Sequence, residues 1–557
     1  MCKFIKTYVL LFLTLQAGVA SAQTGRAARY QPGDWVTYNN FQYVTSFEEG
    51  DHYLYVGTTH GVLRFNQLAH QWEYPYTVGS GLSDGYVLNI AWVKENRELW
   101  VISRGGIDVI YTVLNRWKHI PGSENNFGPI LRGLRVGQTD QSVILVTDTG
   151  NSYVYDKFTY TLSNQGAGPV QQGQWKDETP VRENLALFLN SSWHINQTNN
   201  TLVDEYYDAY PFTVQFSTDY NELYLGTWGA GFIKADATTQ VGDVLRVGPL
   251  SASVGAMFKG STSLWFGSAG LPSTGQPAVE GQPGISRWDL QNNQWHHVLP
   301  KQINALTDPQ ILSIEGDDHG VWVGTNRGLL HYNMHEDSWT RISGKGLASS
   351  PVYDIVVDDT TVWAASDVGL YDIANPTGIV RQRLSLVQNQ VLSVFSLARV
   401  GHRLFAGTED GVIELDVRQK QVYYYDKNGQ RTSPEKFRFL AAYQVTGRGD
   451  LLFYANQLGI YQLNLKSGAF NEIPELGLAA QSQVRVLKTD AATLWVGMND
   501  GAGEYDIRRQ EWEFYTTEDG LGANRIYDIL IEPEYVWFAT QNGVTRFYLR
   551  RNERSSG

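Results

Sequence analysis

The sequence predicts an all-β protein, a β-propeller of about twelve four-stranded blades. Three observations predict this fold: the composition, an aromatic strand that recurs about every 42 residues, and a spare strand near the N-terminus. The chain has 557 residues, with 55 Gly, 17 Trp and 32 Tyr but only 18% charged residues. This composition favours strands and tight turns, and it excludes a coiled coil or an acidic disordered chain.

The recurring strand has an aromatic or aliphatic second residue, as in LYVGTTHGV and VWVGTNRGL. The clear copies are centred on Tyr55, Trp100, Tyr224, Trp265, Trp322, Trp363, Phe405, Phe453, Trp495 and Trp537. An aliphatic copy at Ile144 and a degenerate one near Phe188 bring the expected total to twelve. Gly or Ala two places after the aromatic predicts close packing between blades, and Gly six places after it predicts a hairpin turn with positive φ.

The two ends of the chain predict how the propeller closes. The segment 34–38 resembles a fourth strand with no blade of its own, whereas the last copy lacks a fourth strand. We therefore expect the N-terminal strand to complete the last blade. Two propellers are favoured over one large ring, because single rings usually have four to eight blades. Counting copies divides the chain into six blades over 23–300 and six over 301–557, with the degenerate stretch 163–220 as the alternative crossing point.

The N-terminus has the pattern of an export signal. Residues 1–22 combine a charged start, a short apolar core and the cleavage pattern Ala20-Ser21-Ala22, which predicts a mature chain that starts at Gln23. The single cysteine, Cys2, would be lost on cleavage, so no disulfide is expected. These features predict a periplasmic or extracellular protein without stable membrane insertion. The 44 basic and 57 acidic residues give a net charge of −13, so nucleic acid is not an expected partner.

Ligands of propellers usually bind where loops converge on the axis, and one face should carry the relevant turns. The candidate ligand-binding residues on that face are Asp84, Arg104, Trp228, Asn326, Arg327, Asp410, Asp500 and Arg525. Arg and Asn beside Trp suit a saccharide or an anionic glycan, although each residue alone also suits an ordinary polar turn. The sequence contains no P-loop, dinucleotide fingerprint or nucleophile elbow, so no catalytic residue, metal or cofactor is predicted.

The repeat resembles that of the two-component-regulator propeller family. Its pattern, GL-x4-V/I-x2-I followed by LW-x-G-T-x2-GL, is matched best from Gly346 to Trp363, from Gly520 to Trp537 and from Gly81 to Trp100. The resemblance implies a relation to periplasmic sensor regions, many tied to glycan sensing, and to an envelope component of the type IX secretion system.

From the resemblance we expect an exported, non-enzymatic binding or scaffold protein that recognises a glycan or an envelope protein. A ligand-sensing subunit that signals through a membrane partner is the first alternative. A polysaccharide-active enzyme is the second, since two carboxylates across a funnel could act as acid and base.

Overall fold

A computed structural model shows a chain built from strands that form eleven sheets. It describes residues 30 and 33–549, except 115, 122–134, 140, 147–150, 160, 168–173, 176–186, 191, 219–220, 271–280, 304–305, 307, 385, 388–390, 427, 435–440, 475–483 and 491. The predicted signal peptide and Gln23 lie outside the described residues.

Sheets 1 to 4 are formed by the first part of the chain, after strand β1 (Trp35–Tyr38). Sheet 1 contains β2 (Val44–Gly50), β3 (Tyr53–Thr58), β4 (Gly61–Asn66) and β5 (Gln71–Tyr76), and sheet 2 contains β6 (Val87–Val93), β7 (Glu98–Ser103), β8 (Gly106–Tyr111) and β9 (Arg116–Pro121). Sheet 3 contains β10 (Arg135–Gln138), β11 (Ser142–Val146), β12 (Asn151–Asp156), β13 (Leu162–Ala167) and β14 (Gln174–Trp175). Sheet 4 contains β15 (Phe188–Leu189), β16 (His194–Asn196), β17 (Thr201–Val203), β18 (Ala209–Ser217), β19 (Glu222–Thr227), β20 (Phe232–Asp236) and β21 (Val241–Leu245).

Sheets 5 to 8 follow in chain order. Sheet 5 contains β22 (Val254–Lys259), β23 (Ser263–Ser268), β24 (Ile285–Asp289) and β25 (Gln294–Val298), and sheet 6 contains β26 (Ile311–Gly316), β27 (Gly320–Thr325), β28 (Gly328–Asn333) and β29 (Ser338–Arg341). Sheet 7 contains β30 (Val352–Asp358), β31 (Thr361–Ser366), β32 (Gly369–Ala374) and β33 (Val380–Leu384). Sheet 8 contains β34 (Val394–Val400), β35 (Arg403–Thr408), β36 (Gly411–Asp416), β37 (Gln421–Tyr425) and β38 (Arg431–Thr432).

Sheets 9 to 11 complete the chain. Sheet 9 contains β39 (Gln444–Arg448), β40 (Leu451–Ala455), β41 (Ile460–Asn464) and β42 (Phe470–Glu472), and sheet 10 contains β43 (Val486–Thr489), β44 (Thr493–Gly497), β45 (Ala502–Asp506) and β46 (Glu511–Tyr515). Sheet 11 contains β47 (Ile526–Ile531), β48 (Tyr535–Thr540) and β49 (Gly543–Tyr548). Short 3₁₀ turns lie at Val78–Ser80, Pro300–Gln302 and Leu347–Ser349. Within the described residues, the structure has no helix that could span a bilayer.

The predicted closure by the N-terminal strand is confirmed. Strand β1 pairs antiparallel with β49, with Trp35 opposite Phe547, and it supplies the fourth strand of sheet 11. The hydroxyl oxygens of Thr37 and Thr545 lie 3.0 Å apart across the pair and are buried. The first and last described strands are therefore held in one sheet, and the edge of β49 is not left unpaired.

Sheets 5 to 11 form a closed ring around an axis. Their first strands contact one another in the order β22, β26, β30, β34, β39, β43 and β47, and β47 returns to contact β22. This seven-sheet ring is a β-propeller, with the first strand of each sheet innermost, as the sequence predicts. In the other set, β2 lies between β18 and β6, and sheets 2 and 3 share a buried core.

The division between the two sets differs from the expected six and six. Copy counting placed the boundary at residue 300, but β22 of sheet 5 contacts both β26 and β47, so strands β22 to β25 belong to the seven-sheet ring. The twelfth expected copy also differs, because Phe188–Leu189 pairs in parallel with β21 and does not form the second strand of a sheet. Both corrections have the same cause: contacts between strands, and not the repeat pattern, determine which sheet and which ring a segment joins.

Small residues after the recurring aromatic allow the sheets to approach closely. A Cβ added to Gly267 would collide with Ile311, and one added to Gly324 would meet the carbonyl oxygen of Val352 at 2.6 Å; both partners belong to the next first strand. The predicted hairpin glycines also have positive φ in most copies, for example 108° at Gly328. Side-chain size at these positions is therefore set by the neighbouring sheet.

Candidate ligand-binding site at the mouth of the seven-sheet ring

The axis of the seven-sheet ring contains a cavity of about 250 Å³ that residues of all seven first strands line. Within the ring, the loops that enter the first strands and the turns that follow the second strands lie at the same edge. We call this edge of the ring its mouth. The mouth is the face on which the sequence placed the candidate residues.

Two aspartates in the channel wall bind the backbone of the neighbouring sheet. The Asp354 carboxylate accepts the Leu397 amide at 2.7 Å, and the Asp528 carboxylate accepts the Met257 amide at 2.9 Å. Each also accepts the amide of the residue that follows it, at 2.9 Å for Asp354 and 2.8 Å for Asp528. These carboxylates therefore hold adjacent first strands together, and burial raises the pKa of both.

One lysine balances the acidic groups deeper in the channel. Lys488 Nζ lies 4.0 Å from Asp528 Oδ1. Burial lowers the pKa of Lys488, but the charges of Asp528, Asp354 and Glu315 outweigh it and raise that pKa overall. Burial raises the pKa of Glu315 to about 7, with Lys488 acting in the opposite direction. The channel interior is thus a network of partly buried charges of both signs.

An arc of aromatic side chains lies above this network. The ring centroids of Tyr353 and Phe395 are 5.9 Å apart, and those of Phe395 and Tyr443 are 5.7 Å apart. Tyr353, Phe395 and Tyr527 each occupy the extra residue of a register shift at the start of a first strand. Such a bulge redirects a side chain, here toward the channel, where all three residues line the cavity.

Two arginines flank Tyr527 beside the aromatic arc. The guanidinium carbons of Arg485 and Arg525 lie 5.1 and 5.5 Å from the centroid of the Tyr527 ring. Arg485 Nε is buried without a hydrogen-bond partner, and among the described residues neither arginine forms an ion pair with a carboxylate. Burial lowers the pKa of Arg485, and the neighbouring charge of Arg525 lowers it further. Two cations near one aromatic ring favour the binding of an anionic group there.

The structure divides the eight predicted site residues between the two sets of sheets. Asn326, Arg327, Asp410, Asp500 and Arg525 belong to the seven-sheet ring, whereas Asp84, Arg104 and Trp228 belong to the other set. Asn326 Nδ2 donates to Gln310 Oε1 at 2.6 Å, which links two loops of the mouth. A binding role for these eight residues stays a prediction.

Sequence reasoning missed the aromatic arc and Arg485. The signal for Tyr353, Phe395 and Tyr527 was the second residue of three first strands, in the segments VYDI, VFSL and IYDI, whereas Arg485 precedes its first strand. An alignment of the first strands would have shown that an aromatic residue recurs at this position. A first strand that is buried on both faces does not need an aromatic residue there. The direction of these side chains depends on the register shift, which the sequence pattern did not indicate.

Among the described residues, no group of three or more His, Cys, Asp or Glu side chains could hold a metal ion. The aromatic arc offers stacking surfaces to a ligand, and the two arginines offer positive charge.

Comparison with known proteins gives similarity to solved structures alone. No family model matches the sequence, and no curated protein matches it. The extracellular domain of the putative hybrid two-component system BT3049 from B. thetaiotaomicron is 14% identical, with 93% of this chain and 83% of that chain covered and a TM-score of 0.44. PorZ, a surface component of the type IX secretion system of Porphyromonas gingivalis, is 13% identical, with 91% and 74% covered and a TM-score of 0.43.

Proposed function

We propose that this chain is an exported, non-enzymatic binding protein that recognises an acidic glycan at the mouth of the seven-sheet ring. The observation that carries the proposal is the pair Arg485 and Arg525, which lie near Tyr527 and form no ion pair with a carboxylate of the described residues. A guanidinium binds a carboxylate or sulfate group through parallel hydrogen bonds. The predicted signal at 1–22 supports export.

The aromatic arc supports a saccharide over a simple anion. Tyr353, Phe395 and Tyr443 form a continuous apolar surface next to the arginines. A sugar ring presents C–H groups on one face and hydroxyl groups at its edge, so it suits an aromatic surface bordered by polar groups. An acidic sugar would place its ring on the arc and its charged group between the arginines.

The engagement of Asp354 and Asp528, two of the three acidic groups of the channel, supports a structural rather than a catalytic role for them. Asp354 and Asp528 each accept two backbone amides, and general acid–base chemistry would require one of them to exchange a proton with a substrate. Protonation of either carboxylate would weaken the contact between adjacent first strands. We therefore assign these two residues a structural role.

Calorimetric titration of the mature protein, Gln23 to Gly557, with a panel of polysaccharides tests the proposal. The panel pairs acidic polymers (polygalacturonate, alginate, heparin) with neutral dextran. We expect saturable binding of an acidic polymer, weakened about 10- to 100-fold by Arg485→Ala, because a hydrogen bond to a charged group contributes about 1.5–3 kcal/mol. Arg508→Ala, on an outer turn of the adjacent sheet 10, is the matched control and should bind as the wild type does.

Three outcomes would contradict the proposal. If no polysaccharide of the panel binds, the glycan proposal fails and an envelope protein is favoured as the partner. Equal affinities of the wild type and Arg485→Ala would show that the glycan binds at a site that does not include Arg485. Shortened polymer after incubation, detected by size-exclusion chromatography, would show an enzyme instead of a binding protein.

A further inference from the structure

The smaller set of sheets carries a second arginine–tyrosine pair at its own mouth. The Arg104 guanidinium carbon lies 3.5 Å from the centroid of the Tyr86 ring. The Asp84 carboxylate accepts the Tyr86 amide at 2.8 Å and fixes the loop that carries the tyrosine. Arg104 is exposed, and it forms no ion pair in the part of the chain that the structure describes. This pair repeats the chemistry of Arg525 and Tyr527 in the seven-sheet ring.

An aromatic pair, Trp228 and Tyr43, lies at the same mouth. Trp228 follows β19, which pairs with the inner strand β18, as Arg104 follows β7, which pairs with β6. The Trp228 and Tyr43 rings pack edge to face, with centroids 5.3 Å apart. The β3–β4 turn of sheet 1 lies between this pair and Tyr86: Thr59 N donates to Tyr43 O at 3.1 Å, and a Cβ added to Gly85, next to Tyr86, would lie 3.6 Å from His60 Cα. The smaller mouth therefore also combines a cation with aromatic surface.

The two mouths border one junction. The chain crosses from the ring to the smaller set at 39–43 and returns at 246–253, and both crossings run from mouth to mouth. Asn39 Nδ2 donates to Asn542 Oδ1 at 2.7 Å in the ring, and Gly229 N donates to Gln42 O at 3.0 Å in the smaller set. On the opposite edge, turns of sheets 1 and 5 line one groove of about 810 Å³. The two sets thus stand side by side, with their mouths on the same side.

Buried polar contacts fix the spacing of the two mouths. Asn40 Nδ2 donates to Leu250 O at 2.9 Å, and Arg246 donates twice to Gln42 Oε1, at 3.0 and 2.6 Å. Lys301 of the ring also pairs with Asp204 of the smaller set at 2.6 Å. A junction tied at several points holds the two mouths in one orientation.

We infer that the smaller set holds a second acidic-glycan subsite, formed by Arg104 and Tyr86 with Trp228, and that one polymer chain occupies both mouths. This inference rests on the proposed function of the ring. A polymer bound at one mouth presents its next acidic groups to the second mouth at a high effective concentration. Such linkage raises the affinity by about 10²- to 10⁴-fold without any new kind of contact.

Titration with an acidic polymer from the panel and with the disaccharide of the same polymer tests the inference. We expect two disaccharides per wild-type protein and one per Arg104→Ala protein. For the polymer, Arg104→Ala should weaken binding at least tenfold and reduce its affinity toward that of the disaccharide. Arg116→Ala, an exposed arginine in the outer strand of the same sheet, is the control and should leave both titrations unchanged.

The outcomes separate this inference from the proposed function. One disaccharide per wild-type protein, or a polymer affinity that Arg104→Ala leaves unchanged, would overturn the second subsite while the site at Arg485 stands. Loss of all binding in Arg485→Ala, with Arg104→Ala equal to the wild type, would likewise confine the ligand to the ring. If neither polymer nor disaccharide binds the wild type, the proposed function itself fails.

Discussion

Removal of the indole of Trp35 should weaken the closure of the seven-sheet ring. Trp35 is 4% exposed, although it lies in a strand of only four residues far from the rest of its sheet in sequence. Its ring stacks on Phe547 at 4.1 Å and also contacts Tyr515 and Phe538. The side chain therefore joins sheet 11 to sheet 10 and anchors strand β1.

The expected cost of Trp35→Ala follows from the burial of the side chain. Truncation of a buried Trp to Ala costs about 3–5 kcal/mol, from lost apolar transfer and from the cavity left behind. The three aromatic contacts place Trp35 at the upper end of this range, because aromatic pairs add about 0.5–1.5 kcal/mol beyond their buried area. We expect the free energy of unfolding to fall by about 4–5 kcal/mol.

Urea unfolding followed by circular dichroism measures this change. Trp512→Ala is the matched control, because Trp512 occupies the equivalent place in the fourth strand of sheet 10 but is only partly buried. We expect a loss of about 1–2 kcal/mol there, in proportion to the smaller apolar area that leaves water. A loss at Trp35 no larger than that at Trp512 would refute the reasoning, since it would show that β1 adds little to the ring.

Two further predictions concern the junction between the two sets. Burial lowers the pKa of His60 to about 4. Between pH 6.5 and 4 the unfolded chain therefore binds a proton at His60 that the folded chain does not. The free energy of unfolding should fall by about 3 kcal/mol as the pH drops over this range. His60→Gln should remove that part of the pH dependence of the urea midpoint, whereas the surface variant His335→Gln should keep it. If the midpoints of both variants depend on pH in the same way, His60 is not the group responsible. Gly248→Ala should cost well over 1 kcal/mol in urea unfolding, because φ is +82° and the new Cβ would collide with the Asn39 carbonyl oxygen. Gly401→Ala is the control, because Gly401 also has a positive φ (+60°) but has open space around the new Cβ, so only the backbone cost of about 1 kcal/mol is expected. The same loss at both glycines would show that the junction moves to accommodate the methyl group at position 248.

The sequence predicted the local parts of the fold because those parts depend on short-range patterns. The aromatic strand, the small residue after it and the hairpin glycine lie within one repeat, so their packing roles could be inferred for Gly267 and Gly324 alike. Closure could also be predicted, because segment 34–38 is a fourth strand without a sheet of its own. The copy near Phe188 failed as a predictor because its pattern is too weak to specify which strand it joins.

The candidate site was predicted only in part. The face and the arginine at Arg525 follow from loop positions, which the repeat sets. Tyr353 and Phe395 were missed, because a register shift of one residue decides whether a first-strand side chain points into the core or toward the channel. Arg485, which directly precedes β43, was missed as well. Such a shift depends on hydrogen bonds to the neighbouring strand.

The sequence by itself determined the all-β propeller repeat, the completion of the last sheet by segment 34–38, and the class of residue at the loops of the mouth. Only the tertiary structure decided that seven sheets close one ring, that strands β22 to β25 belong to it, and that Arg485 and Arg525 both lie near Tyr527. The physical reason is the range of the interactions. A repeat encodes contacts within a sheet and with the next sheet. The number of sheets in the ring, and hence which charged side chains lie close together at the axis, depends on the sum of all the angles between sheets.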